Sequence, residues 1–141
     1  MMTREQQIDY AALLLRVALG MMFIAHGLLK ILVFTLPGTV QFFDSVGFAG
    51  WLAYPVTALE VAGGALLILG IATRWTALAL IPVLLGALSV HFSNGWLYTN
   101  ANGGWEYAAF LTLACGVQAL LGDGACSARQ VVTFNQTTAH A

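Results

Sequence analysis

The chain has 141 residues, enough for one domain. Its composition, 60% hydrophobic and 8% charged, is far from the roughly 25% charged residues of an ordinary globular protein. Five Lys/Arg and six Asp/Glu at a net charge of −1 can neither coat a water-facing surface nor set up a basic field, which excludes a soluble enzyme, a secreted disulfide scaffold, a disordered segment and a nucleic-acid partner.

A mean hydropathy of +0.83 points to membrane lipid as the surrounding medium, and chain order gives the segments. Residues 1–9 mix both charge signs, and the apolar stretch after them is too long for a cleavable signal sequence, so it reads as a retained membrane helix. Apolar spans are expected at about 10–34, 51–72, 75–92 and 105–121. Each is roughly 17–25 residues, the length a helix rising about 1.5 Å per residue needs to cross about 30 Å of hydrocarbon. The first connection holds Pro37, Gly38 and Asp44, with Phe42, Phe43 and Phe48 suited to a short interfacial segment. The second, Ala72-Thr73-Arg74, is a tight turn; the third, 93–104, is polar and glycine-rich. Residues 122–141 read as a polar tail, disordered over 135–141. Alternating β patterns are absent and Leu, Ala and Gly dominate, so the expected fold is all-α, an integral membrane four-helix bundle.

With four spans, Arg4, Arg74 and Arg129 share one side, and the other carries only Lys30 near the membrane edge. The positive-inside bias then puts both termini in the cytoplasm. Trp51, Trp75, Trp96 and Trp105 sit at or near segment ends, where indole rings anchor at the interface.

Six ionisable residues lie within or at the edge of the apolar runs: Arg16, His26, Lys30, Glu60, His91 and Glu106. Charges inside a bilayer are expensive, so such groups face the bundle interior and find partners. On the first helix Arg16, His26 and Lys30 fall within an arc of about 80°. Measured by helical rise from the cytoplasmic edge, Arg16 lies about 9 Å deep and Glu60 about 18 Å; His26, His91 and Glu106 lie near 22–24 Å, and Lys30 at the outer rim. Each helical hairpin carries a His late in its first helix and a Glu early in its second, the layout of a parallel two-hairpin repeat.

Each group has a structural and a functional reading. Arg16 with Glu60 reads as a buried pair fixing helix register or as a binding and proton-transfer pair. Lys30 reads as snorkelling to the interface or as a binding group. His26 and His91 serve interhelical hydrogen bonds or contact a ligand, and Glu106 caps the fourth helix or joins the site. Two His and a carboxylate are metal-ligand types, but no close spacing enforces a site, so no metal is assigned. Arg74 reads as a topology anchor, and Gly20, Gly27, Gly64 and Gly70 as helix-packing positions. Cys115 and Cys126 form no C-x-x-C pair.

The run Arg16-x3-Gly20, His26-Gly27-x2-Lys30, Phe42-x4-Gly47, Glu60-x3-Gly64-x4-Leu69-Gly70-x3-Arg74, then His91 and Glu106-Tyr107, resembles the DoxX family over residues 10 to 124. Gly122-Asp123-Gly124 with Ser127 resembles its closing motif. The resemblance implies a four-helix protein of the bacterial inner membrane. Its namesakes are similar to small subunits of terminal quinol oxidase and of thiosulfate:quinone oxidoreductase, and other relatives belong with membrane complexes handling thiol and oxidative stress.

Three functions follow as expectations. The first is a subunit of a quinone-linked redox complex, an accessory rather than a complete enzyme. His26 and His91 hydrogen-bond the quinone headgroup, Glu106 or Glu60 accepts protons, and Arg16 and Lys30 complete the binding cluster. A quinone is the cofactor candidate. The sequence carries no haem, flavin or iron–sulfur signature, so electrons would come from a redox partner protein. The second is a small-molecule or proton transporter acting as a homo-oligomer along the same polar line. The third is a non-catalytic membrane assembly scaffold whose charges serve folding.

Overall fold

The computed structural model describes residues 1–128; Arg129 and the 135–141 stretch lie outside the described residues. All regular structure among the described residues is helical. Helix α1 (Arg4–Leu32) starts with an exposed capping box: the Thr3 hydroxyl accepts from the Gln6 amide while the Gln6 side chain accepts from the Thr3 amide, so two otherwise orphaned donors are satisfied together. A short helix α2 (Leu36–Ser45) follows. Thr35 caps it by accepting from the Gly38 amide, and Pro37 sits in its first turn, where a missing N–H costs nothing.

Asp44 closes the next link by accepting from the Gly50 amide at 2.8 Å, and a single 3-10 turn (Gly50–Leu52) leads into α3 (Ala53–Leu69). That helix stops where Gly70 takes φ +67°. Its amide bonds to the Leu67 carbonyl and the Ile71 amide to the Leu66 carbonyl, the paired termination that a left-handed glycine permits. Helix α4 (Thr73–His91) contains Pro82, which withholds an N–H from the Leu78 carbonyl. A polar loop then reaches α5 (Glu106–Leu121).

The stretches Arg4–Leu32, Gly50–Leu69 and Thr73–Asn94 are long and apolar enough to cross a membrane, and α5 is a shorter apolar helix of 16 residues. They pack as a ring in the order α1, α3, α4, α5, with antiparallel neighbours. The core is formed by Leu19, Phe23, Leu67, Leu80, Leu84, Leu111 and Cys115. Meanwhile Leu14, Leu32, Phe110, Leu113 and Leu120 point outward and are largely exposed. Such an apolar outer surface is tolerable against lipid and a liability in water.

The tightest seam is α1 against α3. A Cβ on Gly20 would stand 2.6 Å from the Gly64 carbonyl oxygen, one on Gly64 2.7 Å from that of Gly20, and one on Gly27 2.6 Å from the Val61 side chain. Only glycine lets the two backbones approach this closely.

Candidate functional site

Two polar centres lie along that seam, and neither is the Arg16–Glu60 pair expected from charge alone. Arg16 is fully buried and binds backbone oxygen instead. Its Nη1 donates to the Leu67 and Ile68 carbonyls, and its Nη2 to the Ala125 carbonyl at 2.8 Å. The Leu67 and Ile68 carbonyls stand in the last turn of α3, where carbonyls lack intrahelical i+4 partners and the helix dipole is negative. A guanidinium forks its donors across such a target in a way a point charge cannot.

Gly70 is needed there twice over. Its backbone is left-handed, and a Cβ would stand 2.8 Å from Arg16 Nη1. The tail folds onto the same end: the Ala125 amide donates to the Asp9 carbonyl, and the Thr73 amide to Asp123. Gly122 packs beside Arg74, where a Cβ would lie 3.0 Å from its Nε. The Gly122-Asp123-Gly124 motif therefore ties α1 and α4 together at one end of the bundle, and Ala125 joins them to α3 through Arg16.

Glu60 finds Lys30 instead. Both carboxylate oxygens accept from Lys30 Nζ at 2.8 Å, and the Glu60 side chain is 6% exposed. Lys30, expected to snorkel outward, is thus turned inward across the α1–α3 seam. Gly27 one turn below makes room: a Cβ there would come within 3.4 Å of Glu60 Cβ. Arg16 and Lys30 share a face of α1, but fourteen helical residues separate them by about 21 Å along the axis, which is why one carboxylate cannot serve both.

The ion pair lies on the wall of a cavity of about 1020 Å³, at the upper end for a small-molecule pocket. Its wall is mostly apolar, supplied by α1, α2, α3, α4 and α5, with His26, Lys30, Glu60, His91 and Tyr107 among its polar members. The short helix α2 contributes Thr39, Phe42 and Phe43. Pro82 and Gly86 on α4 also line it, where small or ring-closed side chains leave space.

The two imidazoles that sequence depth puts at one level do share this space. His26 Nδ1 lies 2.8 Å from the Met22 carbonyl, and His91 Nδ1 lies 3.0 Å from the Asn102 and 3.2 Å from the Gly103 carbonyl. Glu106 is not on the cavity wall. It accepts from the Tyr98 amide at 2.9 Å and so pins the polar loop at the start of α5, where its charge suits the helix dipole.

Its neighbour Tyr107 takes the inward place, stacked on His26 with ring centroids 6.0 Å apart and its hydroxyl 3.4 Å from Met22 Sδ. Sequence depth missed this exchange because adjacent residues share a level and differ only by about 100° of helix rotation. Rotation about α5 separates Glu106 from Tyr107. The His–Glu layout of the two hairpins also diverges: Glu60 meets a lysine, whereas Glu106 meets a loop amide. Among the described residues no three His, Cys, Asp or Glu side chains gather as a metal site requires.

No solved structure matches the chain. It is 39% identical over 84 residues to a Bacillus subtilis (strain 168) protein named "Putative oxidoreductase CatD", a match covering 60% of this chain and 61% of that relative's length. The DoxX family profile matches residues 11–93, which takes in Arg16, His26, Lys30, Glu60 and His91; with more than half the chain matched and apolar helices closing around those positions, this protein belongs to the DoxX family of membrane proteins.

Proposed function

We propose that the protein is an inner-membrane subunit of a quinone-linked redox complex and that its cavity holds the quinone headgroup. The observation that carries this reading is the convergence of His26 from α1 and His91 from α4 on one large, mainly apolar cavity. A quinone needs polar groups at two ring oxygens and apolar space for its isoprenoid tail. Imidazole can exchange protons with such oxygens near neutral pH, and the Lys30–Glu60 pair lies on the same wall as a charged relay. A quinone would supply two-electron redox chemistry; the chain's own residues bind, orient and exclude water. The electrons would pass to or from a partner protein, as fits similarity to a relative named as an oxidoreductase.

In this reading α5 crosses the bilayer with the other three helices, and both termini face the cytoplasm. The test is equilibrium binding of a short-tailed quinone to detergent-purified protein. Replacing both His26 and His91 with Leu should weaken binding by 10-fold or more, about 1.4 kcal/mol, while the far-ultraviolet circular dichroism stays helical. Unchanged affinity in a folded double variant removes the site.

A further inference from the structure

The cavity's hydrogen-bonding inventory is lopsided, and we infer that it selects the reduced, dihydroxy form of the ring over the oxidised dione. This rests on the cavity being the quinone site. A carbonyl oxygen only accepts, so the contacts of His26 Nδ1 with Met22 and of His91 Nδ1 with Asn102 and Gly103 require a proton on each Nδ1. In the neutral ring that leaves each Nε2 as a bare acceptor.

Most other side-chain donors on the wall are also spent. The Thr39 hydroxyl donates to the Thr35 and Lys30 carbonyls, and the Tyr107 hydroxyl to Met22 Sδ. Two of the three Lys30 protons go to the two Glu60 oxygens. What the wall offers a ligand is therefore mainly lone pairs: two imidazole nitrogens, the Tyr107 oxygen and the remaining capacity of the Glu60 carboxylate. Against them stand the third Lys30 proton and the Tyr98 hydroxyl, which serves either role.

A dione brings two acceptors and would confront lone pairs with lone pairs. A hydroquinone brings two O–H donors, one for each imidazole. Sites built to satisfy a hydroxyl discriminate strongly against analogues that lack it, because a buried polar group is then left unpaired.

The experiment compares three probes on the same detergent-purified, full-length chain under anaerobic conditions: a decyl-substituted benzohydroquinone, the corresponding benzoquinone, and the hydroquinone's dimethyl ether. The hydroquinone should bind at least 10-fold more tightly than either of the others. His26→Leu and His91→Leu should each narrow that gap by weakening the hydroquinone more than the benzoquinone. Equal or tighter binding of the benzoquinone, or a dimethyl ether as tight as the hydroquinone, overturns the inference and leaves the quinone site standing. If none of the three binds, the site and the inference fall together. The probe comparison uses the unaltered protein, so it does not depend on either variant folding.

Discussion

Lys30 and Glu60 are each expensive to bury alone and inexpensive together, because both Glu60 oxygens accept from Lys30 Nζ at 2.8 Å. Removing one partner leaves an uncompensated charge facing apolar surroundings, which destabilises buried pairs by about 3–5 kcal/mol, whereas removing both can be nearly neutral. Thermal unfolding in detergent should therefore show large losses for Glu60→Gln and for Lys30→Met, and a smaller loss for the double variant than for either alone. Losses that simply add would mean the two side chains do not act as a pair. The identity of the buried charges was legible in the sequence, since ionisable groups in apolar runs must turn inward. Their partners were not. Matching charges by sign alone joins Arg16 to Glu60, but Arg16 answers to backbone carbonyls at the end of α3, acceptors that no one-letter code displays.

Helices α1 and α3 carry both polar centres on a single seam, so the closeness of that seam decides whether either centre forms. A Cβ added to Gly20 or to Gly64 would stand 2.6 or 2.7 Å from the other's backbone oxygen, which cannot rotate aside as a side chain would. Gly20→Leu should therefore force the helices apart, sharply lower the unfolding temperature and abolish ligand binding in the cavity a turn or two above. Gly116 on α5 is the control: a Cβ there meets nothing within 4 Å, so Gly116→Ala should be neutral or raise stability by up to about 1 kcal/mol through helix propensity. Equal damage from both would refute close approach as the reason for glycine at position 20. The packing role of Gly20, Gly27, Gly64 and Gly70 could be read from composition, because small residues at membrane helix interfaces are a general device. Gly70 holds more than that general rule supplies. Its left-handed φ and its place against Arg16 depend on where α3 ends and on which side chain crosses beneath it, and both are set by tertiary packing.

At the scale of the molecule, one end of the bundle gathers the start of α1, the α3–α4 turn and residues 122–128, bound together through Asp9, Arg16, Thr73, Asp123 and Ala125. Arg4 and Arg74 belong to this end, whereas Trp51, Trp96 and Trp105 belong to the other. Basic residues near short loops favour the cytoplasmic face, so the knotted end should face inward and the loop carrying Tyr98 and Glu106 should face outward. The chain supplies its own reporter: Cys126 is exposed at the knotted end, while Cys115 is fully buried in the core. A membrane-impermeant maleimide added to intact spheroplasts should leave the protein unlabelled. In inverted vesicles the same reagent should modify one thiol, and Cys126→Ser should remove that labelling completely. Labelling of Cys126 from the outside of sealed spheroplasts would reverse the orientation, and with it the side from which protons reach His26 and His91.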